Sequence, residues 1–90
     1  MRKKIAAGNW KMYKSMEGAI ELASALADAD VPADVRVILG VPFVYINKIK
    51  EITGNNKSIF VSAQNCHQKN EGAYTGEISP MMLKSLGLEY

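Results

Sequence analysis

Asn9 and Lys11 are the first residues of this 90-residue chain whose types could act together on a ligand. They stand in Gly8-Asn9-Trp10-Lys11, directly after the apolar run Ile5-Ala6-Ala7, so an amide and a cation sit where a strand would end. That combination can hold a carbonyl oxygen and an anionic group at once. Taken from composition alone, a turn asparagine beside a solvated lysine is the plainer reading. A second stretch, Cys66 to Ile78, runs for about thirteen residues, where a strand-to-helix connection commonly takes two to six. Gly72 and Gly76 bracket Tyr74 and Thr75, which suggests an ordered projecting finger, and tyrosine suits burial at an interface while its hydroxyl stays bonded. A mobile surface loop is the alternative.

The remaining reactive types are sparse. His67 is the only histidine, the side chain that most readily changes charge near neutral pH. No acid or nucleophile lies at a telling spacing from it, so a solvent-exposed loop residue is expected. Cys66 is the only cysteine. This excludes an intrachain disulfide framework and a C-x-x-C zinc or redox pair, and a packed thiol at a strand end is expected. Glu71 and Glu77 read as solvated, and Met81, Met82 and Leu83 as core or interface filling. No G-x-G-x-x-G follows the first strand and no G-x-x-x-x-G-K-[ST] occurs, so dinucleotide and P-loop modules have no support.

The elements that must position these residues follow from composition and periodicity. With 48% apolar and 22% charged residues the chain has globular proportions, too apolar for a disordered tail and too polar for a membrane protein. Its charge of +2 comes from Arg2-Lys3-Lys4 at the start, so no basic face points to nucleic acid. The apolar stretch after those cations is too short for a signal-peptide core. A reducing cytosol is the expected compartment, and Asn56-Lys57-Ser58 is expected to be a turn and not a glycosylated sequon.

Lys4–Trp10 reads as a buried strand. Met16, Ala19, Ile20, Ala23, Leu26 and Ala27 recur at helical steps behind Ser15, a plausible N-cap, with Val31-Pro32 as the stop. Val35–Leu39 reads as a second strand closed by Gly40-Val41-Pro42, and Tyr45, Ile46, Ile49 and Ile52 form a second helical stripe. Ile59–Ala63 reads as a third strand. Ser79 as N-cap, Pro80 at the first helical position and Gly87 as C-cap define a short helix over Pro80–Leu86. The order β-α-β-α-β-α predicts an α/β fold with parallel strands joined by right-handed crossovers. Three strands neither cover both faces of a parallel sheet nor close a barrel.

Ala7-Gly8-Asn9-Trp10-Lys11-Met12, with Ala63-Gln64-Asn65 and Gly72-Ala73-Tyr74-Thr75-Gly76-Glu77-Ile78-Ser79, resembles the first-strand and third-loop signatures of the triosephosphate isomerase family. The resemblance covers the whole chain. It implies a (β/α)8 TIM barrel of about 250 residues, with residues 1–90 as the first three β/α units of a single domain. It further implies a glycolytic and gluconeogenic, cytoplasmic, cofactor-free and metal-free isomerase that interconverts dihydroxyacetone phosphate and glyceraldehyde 3-phosphate. Asn9 would be substrate-binding, and Lys11 both substrate-binding and catalytic. In this family a glutamate base and a neutral histidine move the protons. His67 does not match that histidine, whose Gly-His-Ser-Glu context would begin after Tyr90. The family also implies a homodimer through the loop 66–78, with Tyr74, Thr75, Gly76 and Glu77 entering beside the partner's Asn9 and Lys11, and Met12 beneath the loop. On this reading residues 1–90 alone are inactive. A non-catalytic barrel fragment, or an assembly module pairing through open strand edges, is the alternative.

Overall fold

The computed structural model describes residues 2–90. Three strands form one parallel sheet in the order β1-β2-β3: β1 Lys4–Asn9, β2 Val35–Val41 and β3 Ile59–Ala63. Between them lie α1 (Met16–Ala27), then a 3-10 turn (Phe43–Tyr45) running into α2 (Ile46–Thr53), and after β3 comes α3 (Pro80–Ser85). Asn9 is opposite Gly40, and Gly40 is opposite Ser62. The three chains therefore leave the sheet side by side, and whatever follows each strand is delivered to one rim.

Pleating sends alternate residues to opposite faces. Leu39, Val41, Ile59 and Val61 are buried with Ala19 and Ala23 of α1 and Ile46 and Ile49 of α2. The four-residue step between the two fully buried alanines leaves a shallow stripe along α1, which lets α1 pack against the core at close range. β2 runs two residues past its predicted end at Leu39 because both neighbours pair with Gly40. It stops before Pro42, which has no N–H to donate.

The cap at Ser15 is as expected, its Oγ accepting from the Gly18 N–H at 3.3 Å. The helix ends earlier than Val31-Pro32 predicts, at Ala27. The Asn56 amide donates to Ala27 O at 3.1 Å and to Ala29 O at 3.0 Å. Carbonyls that would otherwise lack a partner at the helix end are thereby satisfied from a distant loop. The same bonds occupy the side chain of the sequon asparagine, which agrees with a turn. α3 begins as its sequence predicts, with Ser79 Oγ accepting from Met82 N–H at 3.1 Å and Pro80 at the start. Past its end Gly87 takes φ +82, its N–H bonding to Lys84 O at 2.9 Å and Leu88 N–H to Leu83 O at 3.4 Å. This is the paired-bond C-terminal motif that favours a residue without Cβ.

One feature departs from the expected buried first strand. All six residues of β1 are exposed, Ile5 at 57%. The accessible surface is 6433 Å², whereas a compact monomer of this mass would expose about 5,200 Å². The slab measures 43 × 36 × 20 Å. β1 and β3 each pair on one side only, and the face opposite the helices carries Ile5, Ala7, Ile38 and Phe60. This is the geometry of a barrel sector. No helix among the described residues is long and apolar enough to cross a membrane.

Open parallel edges and an uncovered apolar face favour association. An isolated 1–90 polypeptide is expected to self-associate or to melt with a shallow transition. Analytical ultracentrifugation with thermal circular dichroism checks this; a monodisperse monomer with a sharp, cooperative melt would contradict it.

Candidate functional site

The rim built by the three strand exits carries the one convergent polar cluster that the sequence pointed to. Trp10 is buried and its N–H donates to Gly40 O at 3.0 Å, which pins the chain as it leaves β1. Asn9 Oδ1 then accepts the Lys11 N–H at 2.8 Å. This local turn engages Oδ1, and the Asn9 amide nitrogen keeps its capacity to donate. Lys11 itself adopts φ +57. For a residue with Cβ that left-handed conformation costs about 1–2 kcal/mol, and it persists where neighbours over-determine it.

The neighbour is Gln64. Its Nε2 donates to Lys11 O and to Gly40 O, both at 2.9 Å. Two carbonyl acceptors on one nitrogen fix the orientation of the amide. Gln64 thus ties the exits of β1 and β2 to that of β3, and it holds the peptide of Lys11 from outside the loop. Lys14 is also left-handed, at φ +79, and Tyr45 Oη donates to its carbonyl at 2.7 Å.

Asn9, Lys11, Met12, Tyr13 and Gln64 line a cleft of about 540 Å³. An ammonium and an amide donor in one cleft stabilise negative charge on a ligand, and neither is a base that could take a proton from carbon. No carboxylate or imidazole lines it. A larger groove of about 710 Å³ lies along the open edge of β3, among Ala63, Leu83, Leu88 and Tyr90. Its apolar walls read as a packing surface. No group of three or more histidine, cysteine, aspartate or glutamate side chains among the described residues could hold a metal ion.

The loop 66–78 is an ordered finger. Its base is closed by the His67 N–H to Ile78 O bond at 2.8 Å, and its turn by Glu77 N–H to Tyr74 O at 3.0 Å. The Tyr74 ring folds back on His67, centroids 4.5 Å apart. Gly72, at φ +146, makes room for this, since a Cβ there would stand 2.5 Å from Tyr74 Cε2. Two expectations are corrected. His67 is half-buried in this stack, with Nδ1 accepting from Lys69 N–H at 3.1 Å, and is not solvent-exposed. Cys66 is exposed, not packed, because β3 ends three residues earlier at Ala63.

Tyr74, Thr75, Gly76 and Glu77 are exposed along the finger and border a cavity separate from the Asn9–Lys11 cleft. The chain therefore does not bring its own finger to its own cleft. Met12 is 94% exposed, and Tyr13, Met16, Phe43 and Val44 add further exposed apolar surface on the segments that leave β1 and β2. Sequence reasoning missed Gln64 and Tyr45 as partners of Lys11 and Lys14 respectively. Gln64 lay within a quoted motif with nothing to mark its partners, and Tyr45 read as part of a core stripe.

A family model described as triosephosphate isomerase matches residues 4–90. Curated relatives, each described as triosephosphate isomerase, include those of Cytophaga hutchinsonii, 44% identical over 100% of this chain, Acetivibrio thermocellus, 46% over 99%, and Alkaliphilus metalliredigens, 43% over 100%. The chain spans 36%, 35% and 36% of their respective lengths. A barrel completed with the remaining part of the Cytophaga hutchinsonii relative is the natural background for testing the site.

In that barrel Gln64→Glu is expected to destabilise more than Gln64→Ala. A carboxylate cannot donate, and it would face Lys11 O and Gly40 O. The cost should be about 1–2 kcal/mol, read by denaturant unfolding, and a Glu variant as stable as the parent would refute the clamp.

Proposed function

Because the chain belongs to the triosephosphate isomerase family, we propose that its cleft is the Asn9–Lys11 part of a site that interconverts dihydroxyacetone phosphate and glyceraldehyde 3-phosphate. The observation that carries this reading is the left-handed Lys11 held beside Asn9 at the strand rim. The reaction moves a proton between adjacent carbons, and negative charge builds on their oxygens in the enediolate. Lys11 offsets that charge and the charge of the phosphate, and Asn9 donates a hydrogen bond to a substrate oxygen. Fixed donors of this kind act without reorganising during the reaction. The groups that transfer the proton come from beyond these ninety residues in this reading, since no carboxylate or imidazole of the described residues lines the cleft.

The partner in this reading is a second copy. Tyr74, Thr75, Gly76 and Glu77 border a cavity other than the chain's own cleft, and exposed Met12 lines that cleft. In the dimer the finger of one copy would close the other copy's rim, with Thr75 approaching Asn9 and Lys11 and Met12 packing below. Exposed Tyr13, Met16, Phe43 and Val44 would extend the same buried surface. A second reading, a non-catalytic segment that assembles through strand edges, draws on the open sides of β1 and β3. Turnover by the completed barrel separates the two.

Lys11→Met in the completed barrel should lower kcat/KM by about a hundredfold to a thousandfold, the size of a lost oxyanion donor at about 3–4 kcal/mol. Near-normal turnover with the fold intact would sink the role given to Lys11. Thr75→Glu would bury an unpaired carboxylate at the finger contact and should weaken dimerisation by on the order of 3 kcal/mol. Sedimentation velocity across a dilution series reads this, and an unchanged dimer counts against the interface.

A further inference from the structure

The loop between β1 and α1 is short, carries the catalytic candidate, and contains two left-handed residues, Lys11 at φ +57 and Lys14 at φ +79. Its first strained residue is held twice, by Asn9 Oδ1 on the N–H and by Gln64 Nε2 on the carbonyl. The second is held by one group, the Tyr45 hydroxyl, from 31 residues away. We propose that Tyr45 is a positioning residue for Lys11: its hydroxyl keeps Lys14 left-handed, and so keeps the whole loop in the conformation that presents the Lys11 ammonium. The inference rests on the isomerase reading for its effect on turnover, and on the hydrogen bond alone for its effect on the loop.

The placement of Tyr45 suits this role. Its N–H donates to Pro42 O at 2.9 Å within the 3-10 turn, and its ring packs against the buried core while Phe43 and Val44 beside it are exposed. The backbone and ring are fixed, so the hydroxyl is delivered to the Lys14 carbonyl without an entropic cost of ordering a free side chain. At the far end Ser15 starts α1, so the loop is anchored there too. Without the hydroxyl, Lys14 is free to relax to an ordinary conformation, and the three residues between it and Trp10 must follow. The strain at Lys11 then loses its support, because a left-handed residue is kept only by its surroundings.

Tyr45→Phe in the completed barrel removes the hydroxyl and keeps the ring. It should lower kcat/KM about fivefold to tenfold, the effect of one lost hydrogen bond, and speed exchange of the Lys11 amide, whose N–H is bonded to Asn9 Oδ1 in the held loop. Lys14→Gly reaches φ +79 without a Cβ penalty, so it should restore most of the activity and protection to Tyr45→Phe while changing little by itself. Parental turnover and exchange in Tyr45→Phe would overturn the proposal. So would a loss that Lys14→Gly fails to recover, since a merely structural role predicts no such rescue. If the completed barrel shows no turnover, the isomerase reading fails instead, and if Lys11→Met keeps full turnover the role given to Lys11 fails; in either case Lys11 amide exchange in Tyr45→Phe still decides the tether.

Discussion

Parallel register is the constraint from which the rest follows. Asn9, Gly40 and Ser62 share one row across the sheet, so the chain emerging from each strand meets the other two at the same rim. The Gly40 carbonyl is the meeting point: it accepts from the Trp10 N–H and from Gln64 Nε2. A slip of one residue between β1 and β2 would turn Asn9 to the opposite face and remove Lys11 from the reach of Gln64. Because β1 itself is exposed, what resists that slip is Trp10, buried just past the strand with its N–H on the Gly40 carbonyl, and the Lys4 N–H bonded to Asp34 O at the other end.

Strain and charge are coupled through this rim. A left-handed lysine is an expensive way to place a cation, and the molecule meets the cost with hydrogen bonds to the peptide groups of the loop. The side chain of Lys11 is thereby left without a structural duty in the cleft, available to a ligand. The finger is built on a different principle. It makes few bonds to the sheet and is held by its own contacts, the His67–Ile78 closure and the Tyr74 ring on His67. A self-supporting loop with an exposed tip is suited to meet another molecule, whereas the Lys11 loop is suited to stay where later strands hold it.

The sequence determined a large part of this protein. Apolar runs and stripes located the three strands and the first two helices, because burial leaves its mark in the residue pattern. Ser15, Ser79, Pro80 and Gly87 announced their caps, since capping chemistry is local. Asn9 and Lys11 were legible as chemistry for a similar reason: their types and their place just after an apolar run are properties of neighbouring residues. The position of α1's end was not legible, because Asn56, 29 residues on, completes it.

What only the tertiary structure decided are the interactions that join distant segments. No pattern in residues 10–15 marks Lys11 and Lys14 as left-handed, because lysine has no local preference for that conformation. Gln64 reaches Lys11 across 53 residues and Tyr45 reaches Lys14 across 31, and neither residue type names its acceptor. That three strands leave one sheet face uncovered was legible, but the exposure of β1 on its other face too was not, since an apolar run signals a tendency to be buried without saying which segment supplies the cover. Local chemistry selected the residues that can bind charge; the register of the sheet, a sum over many non-local contacts, fixed where they stand.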